Sequence, residues 1–438
     1  MRKSGLDIYF LLPIKNFIEK QTSVGLSLII ATVLALIIAN SPLANAYHAF
    51  WKQEIFIGIN DLVISKNLLH WINDGLMSMF FFLVGLELKK EIMFGELSNI
   101  KIAILPVAAA IGGMLFPALI YFLFNYGSDS ISGWGIPMAT DIAFALGILY
   151  LLNDTIPVSL KVFLTAIAIA DDMGAVLVIA FFYTEQISLQ SLGIGVFFLL
   201  ILLAANYIGI RNMLFYAVMG IGGLWLAIML SGIHATIAAV LAAFAIPNNK
   251  KVHTPLFLRK VKLLSYTIRD QLRKPEKGLK KQEEITDTIE KFSLLTQDAT
   301  PPLQRLEHAL NPFVSFIVLP LFAFANAGVS FHEHSLSYLV QPVSLGILAG
   351  LILGKFIGIV LFTRLMLFFG ISSLPKEVRL NDIYGIGLLG AIGFTMSLFI
   401  TDLAFESEIY LDQAKIGIFT ASLLAGIAGY LFLKNTRD

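Results

Sequence analysis

Two adjacent acids, Asp171 and Asp172, lie near the middle of a run that is otherwise apolar from 162 to 182. An ionised group at bilayer depth costs several kcal/mol, so such groups are functional candidates by default. Adjacent residues point about 100° apart on a helix, which lets the two acids serve one cavity from different walls. Because burial and a neighbouring like charge both favour the protonated acid, the pair is expected to exchange protons near neutral pH.

A second polar feature is the Thr140-Asp141 pair, which follows Pro137 in another apolar run. Proline frees carbonyl groups upstream and predicts an interrupted helix. At membrane depth, broken backbone is tolerated only where it is packed in protein or lines a wet cavity. Thr140 and Asp141 are therefore expected to supply oxygen atoms at such a site, with a simple proline kink as the alternative interpretation.

Lys355 is the one cation predicted inside an apolar run. An ammonium without a partner in hydrocarbon would deprotonate or draw in water, so an anion is expected beside it. Asp171 or Asp172 is the expected partner, and a purely stabilising lysine is the alternative. Asp74 is a further acid that the pattern places inside an apolar run.

The composition indicates which class of protein holds these charges. Of 438 residues, 57% are apolar and 14% are charged, with a mean hydropathy of +0.80. Globular chains carry about 25% charged residues, so a large soluble enzyme and a disordered chain are both excluded. The absence of cysteine excludes disulfides, thiolate metal sites and cysteine nucleophiles. A net charge of +1 gives no basic surface for nucleic acid.

Twelve apolar runs are candidates for crossing a bilayer, which takes about 20 helical residues. They lie near 22–40, 68–88, 101–125, 133–151, 158–183, 188–206, 212–231, 233–247, 312–330, 343–370, 383–404 and 412–433. The pattern predicts an all-α integral membrane protein with the lipid bilayer as its partner.

The eleventh run is interrupted as the fourth is. It contains Gly385, Gly387, Gly390 and Gly393 before a Phe-Thr-Met-Ser sequence. Runs three to five and runs ten to twelve thus each predict an unbroken helix, a broken helix and an unbroken helix. The second set of three crosses the membrane in the opposite direction to the first. This pattern is typical of transporters built from inverted-topology repeats.

Most Lys and Arg residues fall on one side of the predicted topology, which favours a cytoplasmic location for both termini. The expected organisation is an amphipathic N-terminal segment at 1–21, helices one to eight at 22–247, a charged cytoplasmic loop at 248–311 and helices nine to twelve at 312–433. One or two surface helices are expected in the loop, and a hairpin is expected in the external segment 42–66.

Several motifs together resemble the NhaA-type sodium/proton antiporters of bacteria, from about residue 15 to 433. They are Thr140-Asp141, Asp171-Asp172, Trp71-Ile72-Asn73-Asp74, Gly85-Leu86-Glu87, the sequence LPLFAFANAG at 319–328 and the sequence GAIGFTMS at 390–397. The resemblance implies a twelve-helix fold whose fourth and eleventh spans cross as unwound segments at mid-membrane. It assigns binding of the transported Na⁺ to Asp171 and Asp172, places Thr140 and Asp141 near the crossing, and pairs Lys355 with Asp171.

The resemblance also implies a pH-sensing cluster at the cytoplasmic mouth, and a histidine linked to the pH response. These candidates are Glu87, Lys90, Glu91, Glu307, His308 and His234. Lys90 stands where the best-known pattern has an arginine, and Asn311 stands where some members have a second histidine. The resemblance further implies the bacterial inner membrane, a possible homodimer, and no cofactor besides the transported ions.

The predicted function is secondary antiport of cytoplasmic sodium or lithium against external protons, regulated by pH, for sodium and pH homeostasis. Such a protein is not an enzyme. The sequence contains no phosphate-binding Gly-Lys-Ser/Thr loop, which argues against an ATP-driven pump. The residues alone leave three alternatives. Broken helices disfavour an ion channel, and adjacent acids on one helix disfavour an intramembrane aspartyl protease. A proton-coupled carrier for an organic solute is not excluded.

Overall fold

The computed structural model describes residues 21–59, 62–152, 155–184, 187–250, 252, 254–273, 279–330 and 335–437. In chain order its helices are α1 (Gln21–Ala39), α2 (Ala44–Trp51), α3 (Leu68–Phe94), α4 (Ile100–Phe124), α5 (Ile142–Leu151), α6 (Val158–Phe182), α7 (Leu189–Ile208), α8 (Met213–Leu230), α9 (Ala235–Ala245), α10 (Thr254–Arg273), α11 (Leu279–Ala299), α12 (Pro302–Asn326), α13 (Ser335–Tyr338), α14 (Pro342–Phe368), α15 (Leu380–Gly390), α16 (Phe394–Ala404) and α17 (Glu408–Arg437). Strands β1 (Glu54–Ile59) and β2 (Leu62–Asn67) precede α3, and 3₁₀ segments cover Glu96–Ser98 and Asp129–Met138.

Twelve apolar helical elements can be matched to the twelve predicted runs within the described ranges. Among the described residues, nine helices are long and apolar enough to cross a membrane. Two further crossings are bent pairs, in which the segment Asp129–Met138 meets α5 at 41° and α15 meets α16 at 45°. The short apolar helix α9 completes the set. The predicted all-α membrane class, with its two interrupted helices, is confirmed.

The two ends of the bundle carry different residues. One end, the hairpin face, carries α2 and the antiparallel pair β1 and β2, in which Glu54 lies opposite Asn67. The expected hairpin is therefore present. The other end, the basic face, carries Lys89 and Lys90 near the end of α3, together with α10 and α11.

The charged segment predicted at 248–311 contains α10, α11 and the beginning of α12. Because α12 begins at Pro302, this helix starts ten residues before the predicted span at 312. Its first turns carry the polar residues Arg305, Glu307 and His308, so a count of apolar residues does not detect them. The predicted amphipathic segment 1–21 lies outside the described residues, except that Gln21 begins α1.

The two helices predicted to be repeat partners, α4 and α14, pack against each other backbone to backbone. A Cβ atom added to Gly358 would lie 2.0 Å from the carbonyl oxygen of Gly112, and one added to Gly112 would lie 2.3 Å from that of Gly358. No real side chain fits at those distances. Close approach of this kind is how small residues stabilise helix pairs in membranes. The contact also fixes Lys355, which lies one turn away on α14.

Gly358→Ala is expected to destabilise the protein by about 1–3 kcal/mol, because the added methyl group overpacks the contact between α4 and α14. The measurement is the thermal unfolding midpoint of the purified variant in detergent. Gly193→Ala is the matched control, since a Cβ atom on that α7 glycine meets nothing within 4 Å. Equal midpoints for Gly358→Ala and the parent protein would contradict the packing described here.

Candidate functional site

The two helix breaks satisfy each other's backbone groups. The residues after Pro137 leave the helical conformation and Asp141 is extended, with φ −85° and ψ 97°. Its N–H donates to the carbonyl oxygen of Ile392, in the other break, at 2.7 Å. The Ser397 hydroxyl donates to the carbonyl of Ile136 at 2.8 Å. Since both groups are buried, these bonds replace those that an unbroken helix would make within itself.

The side chain of Asp141 caps two helices. Its Oδ1 accepts from the Phe144 N–H at 2.9 Å, at the start of α5. Its Oδ2 accepts from the Thr395 N–H at 3.1 Å and from the Thr395 hydroxyl at 2.5 Å, at the start of α16. Each helix N-terminus carries about half a positive charge, so one carboxylate between two such ends is close to neutralised. Asp141 is therefore held by the crossing that it helps to form.

Asp171 lies in a buried contact with groups from two other elements, the first helix break and α14. The Thr140 hydroxyl lies 2.6 Å from Asp171 Oδ2 and 2.9 Å from the Gly390 carbonyl oxygen. Lys355 Nζ donates to the Thr140 oxygen at 2.7 Å and forms an ion pair with Asp171. The side chains of Lys355 and Asp171 have no exposed surface. Of the two partners expected for Lys355, the structure selects Asp171.

Asp172 faces the same interior and differs from Asp171 in its surroundings. It is also fully buried, and neither of its carboxylate oxygens has a hydrogen-bond partner among the described residues. Asp171 Oδ1 likewise has none there. Buried polar atoms are nearly always paired, so three such oxygens on two adjacent residues call for a ligand. Carboxylate oxygens can take up a proton or a hard cation.

A cavity of about 320 Å³ leads from the basic face towards these acids. Its deep end includes Ile142, next to Asp141 in the chain, and Ile169, two residues before Asp171. Thr165 lines the cavity one turn earlier on α6. The cavity therefore gives polar solutes from the basic face a path to the vicinity of the aspartate pair.

Charged side chains predicted as a pH-sensing cluster line this cavity. They are Glu87, Lys90, Glu91 and Glu307. Lys90 Nζ pairs with Glu307 Oε1 at 2.7 Å and so links α3 to α12. The second oxygen of Glu307 is buried without a hydrogen-bond partner in the part of the chain described.

Three predicted residues lie elsewhere. His308 is exposed and does not line the cavity. His234 lies just before α9, towards the hairpin face, with Nε2 2.8 Å from the Tyr183 carbonyl oxygen. Asp74 lies inside the second span near its hairpin-face end, paired with Lys66 at 3.1 Å and with His70 at 2.8 Å. That span starts at Leu68, where the predicted run also starts.

One acid inside the eleventh span escaped the sequence analysis. Asp402, on α16, accepts a hydrogen bond from Asn73 Nδ2 at 2.6 Å, and Asn326 donates to Asn73 at 2.9 Å. Asp402 lies seven residues after Thr395, which places both on one face of the helix. The sequence did carry a signal, because Asp402 lies within the run predicted at 383–404.

The chain matches the family described as Na⁺/H⁺ antiporter 1 over residues 15–433. It is 48% identical over 424 residues to the "Na(+)/H(+) antiporter NhaA" of Oleidesulfovibrio alaskensis, covering 97% of this chain and 94% of that protein. Relatives with the same printed name in Sulfurimonas denitrificans and Pelagibacter ubique are 47% and 44% identical. Those matches each cover 96% of this chain, and 95% and 97% of the relatives.

Lys355→Ala is expected to destabilise the protein by about 3–5 kcal/mol, because it leaves the Asp171 carboxylate buried without a cation. Lys355→Arg keeps a cation and is expected to lose less. The measurement is the thermal unfolding midpoint in one detergent. Adding Asp171→Asn to Lys355→Ala removes the stranded charge and should restore part of the loss. A double variant no more stable than Lys355→Ala alone would show that Lys355 does not act through Asp171.

Proposed function

The chain belongs to the Na⁺/H⁺ antiporter 1 family and is a membrane transporter that exchanges sodium ions for protons, and we propose that Asp171 and Asp172 are the groups at which the two ions compete. The observation that carries this proposal is the Asp172 carboxylate, fully buried with no hydrogen-bond partner among the described residues. An oxygen pair in that position is suited to a proton or to a sodium ion, which prefers hard oxygen ligands.

Charge balance supports competition for a single ion. Two ionised aspartates and one Lys355 ammonium leave one negative charge, and Asp141 is compensated separately by the two helix N-termini. Either a sodium ion or a proton neutralises the remaining charge. Loading one ion therefore disfavours the other, and no separate energy source is needed for exchange. Thr140, within hydrogen-bond distance of both Asp171 and Lys355, is proposed to supply a further oxygen to the ion.

Exchange also requires that the site open to one side at a time. The cavity opens at the basic face, and its lining includes Ile142 and Ile169, which are close in the chain to Asp141 and Asp171. On the other side, the buried rings of Phe81 and Phe322 lie 5.4 and 6.3 Å from that of Phe399, which is one turn beyond Thr395 on α16. We infer that this arrangement corresponds to the state open to the basic face. Movement of the crossing against its neighbours would expose the acids to the hairpin face, as a two-state equilibrium biased by the bound ion.

The direction of exchange follows from the proposed orientation. The Lys and Arg bias favours the basic face as cytoplasmic, with both termini and the 248–311 segment on that side. Cytoplasmic sodium, or lithium, would then leave in exchange for external protons, across the inner membrane of a bacterium. This serves sodium and pH homeostasis. The transported ions need no added cofactor, and the exposed side chains of Ile55 and Phe56 in β1 offer a contact for a homodimer.

Regulation by pH is proposed to act at the cavity mouth. Glu87, Lys90, Glu91 and Glu307 line the opening, and the pair between Lys90 and Glu307 joins α3 to α12. A change in protonation there would alter the contact between two helix ends that frame the path to the site. His308, exposed outside the cavity, and His234, towards the hairpin face, do not take part in that contact.

Asp172→Asn is expected to reduce Na⁺-dependent proton flux to the level of protein-free liposomes, because the amide keeps the shape of the side chain and loses its titratable charge. The measurement is dye-reported proton flux in proteoliposomes under an imposed pH gradient. Glu408→Gln is the matched control, since that carboxylate is 81% exposed and pairs with Lys52 at the hairpin face. Normal flux in Asp172→Asn would refute the site assignment.

Glu307→Gln is expected to shift the pH profile of exchange, because it weakens the charged contact with Lys90 at the cavity mouth. His308→Ala, its neighbour in the chain, is expected to leave the profile unchanged because that side chain is exposed outside the cavity. Rates are measured from acid to alkaline pH and scaled to each maximum. If the Glu307→Gln curve superimposes on that of the parent, the cluster has no sensing role.

A further inference from the structure

The helices α10 and α11 form an antiparallel pair outside the apolar bundle. Gln271 of α10 lies 3.3 Å from the Thr288 hydroxyl of α11 and 3.4 Å from the carbonyl of Glu284. Half-buried residues of α10 recur at intervals of four, three and four on the same side as Gln271: Phe257, Val261, Leu264 and Ile268. This spacing identifies the side of α10 that packs against α11.

The opposite side of α10 is also apolar, although nothing in the described chain covers it. Leu256, Leu263 and Tyr266 are 47%, 66% and 73% exposed. At about 100° per residue they fall within an arc of about 80°, centred about 140° away from the packed side. We call these three residues the α10 stripe. Since α11 covers only one of the two apolar sides of α10, the other side indicates a second partner.

Positive charge surrounds the α10 stripe. Five exposed basic residues lie on α10, against the single acid Asp270; they are Arg259, Lys260, Lys262, Arg269 and Arg273. Apolar side chains within a basic surround are typical of helices that lie in the interface of a membrane containing anionic lipid.

The helix pair is tied to the lipid-facing edge of the bundle. The Val252 N–H donates to the Asp298 carbonyl at 3.1 Å, and the Leu303 N–H donates to the Pro247 carbonyl at 3.2 Å. The end of α11 and the turn between α7 and α8 line one pocket, which includes Gln297 and Arg211. Only 17% of the residues in the apolar stretch of α7 are buried inside the protein, so α7 lies at the lipid boundary.

We propose that the α10 stripe docks on the surface of the surrounding bilayer and selects anionic lipid headgroups through its basic flank. The occupant is lipid because the stripe is apolar, its surround is cationic, and its anchor lies beside lipid-facing helices. The same pair leads into α12, which carries Glu307 at the cavity mouth. Docking would therefore restrain one wall of that mouth. The proposal does not depend on which aspartates carry the transported ions.

The test uses the full-length chain, which contains no cysteine. Leu263→Cys is labelled with an environment-sensitive fluorophore and reconstituted into vesicles of phosphatidylcholine, with or without phosphatidylglycerol. With the anionic lipid, emission from position 263 should shift to the blue, brominated lipid should quench it, and iodide should quench it several-fold less. High salt should reverse these changes, since screening weakens the attraction.

Leu272→Cys is the matched control, because Leu272 is the same residue type, is 61% exposed and points about 180° away from Leu263. Its label should stay open to iodide in both vesicles. Replacing Arg259, Lys260 and Lys262 with glutamine should abolish the protection of position 263. Equal iodide quenching at 263 and 272 with anionic lipid would overturn the proposal. So would protection in detergent that depends on protein concentration, since the occupant would then be a second copy.

Discussion

In a bilayer, a backbone N–H or C=O without a partner costs several kcal/mol, so a broken helix persists only where other groups satisfy its ends. Here each break satisfies the other. The Asp141 N–H bonds the Ile392 carbonyl, and the Asp141 carboxylate caps both α5 and α16. Replacing these bonds with water would need a wet channel through the centre of the bundle. The crossing is therefore held in place by its own contacts, although two of the described spans are interrupted there.

The acids of α6 acquire their character from that crossing. Thr140, in the first break, brings a hydroxyl group to Asp171 and also bonds the Gly390 carbonyl at the second break, while α14 brings Lys355. The backbone contact between Gly112 and Gly358 fixes the distance between α4 and α14, and hence the position of the lysine. Asp171 is thus held by cation and hydroxyl, and Asp172, one residue on, has no such partners among the described residues. The two aspartates therefore differ because the surrounding helices place a cation and a hydroxyl group beside Asp171 and not beside Asp172.

Much of this arrangement could be predicted from the sequence because the bilayer restricts what a polar residue inside an apolar run can do. The aspartate pair, both interruptions and the buried lysine all followed from that restriction. The choice of Asp171 over Asp172 came only from the family resemblance, because it depends on the rotation of α14 about its axis. The bond between Asp141 and Thr395 joins residues 254 positions apart, and local pattern carries no information about such a contact. The start of α12 was predicted ten residues too late, because apolar runs do not mark where a helix begins outside the hydrocarbon.

The central claim is that one buried carboxylate site binds either a sodium ion or a proton. The most direct measurement is sodium binding to the purified protein in weakly buffered detergent solution, followed together with the release of protons over a range of pH. Competition predicts that proton release accompanies binding. It also predicts that the apparent Kd for sodium rises about tenfold for each unit of pH lowered on the acid limb, since the two affinities are reciprocally linked. Sodium binding whose Kd is independent of pH, with no protons released, would contradict it.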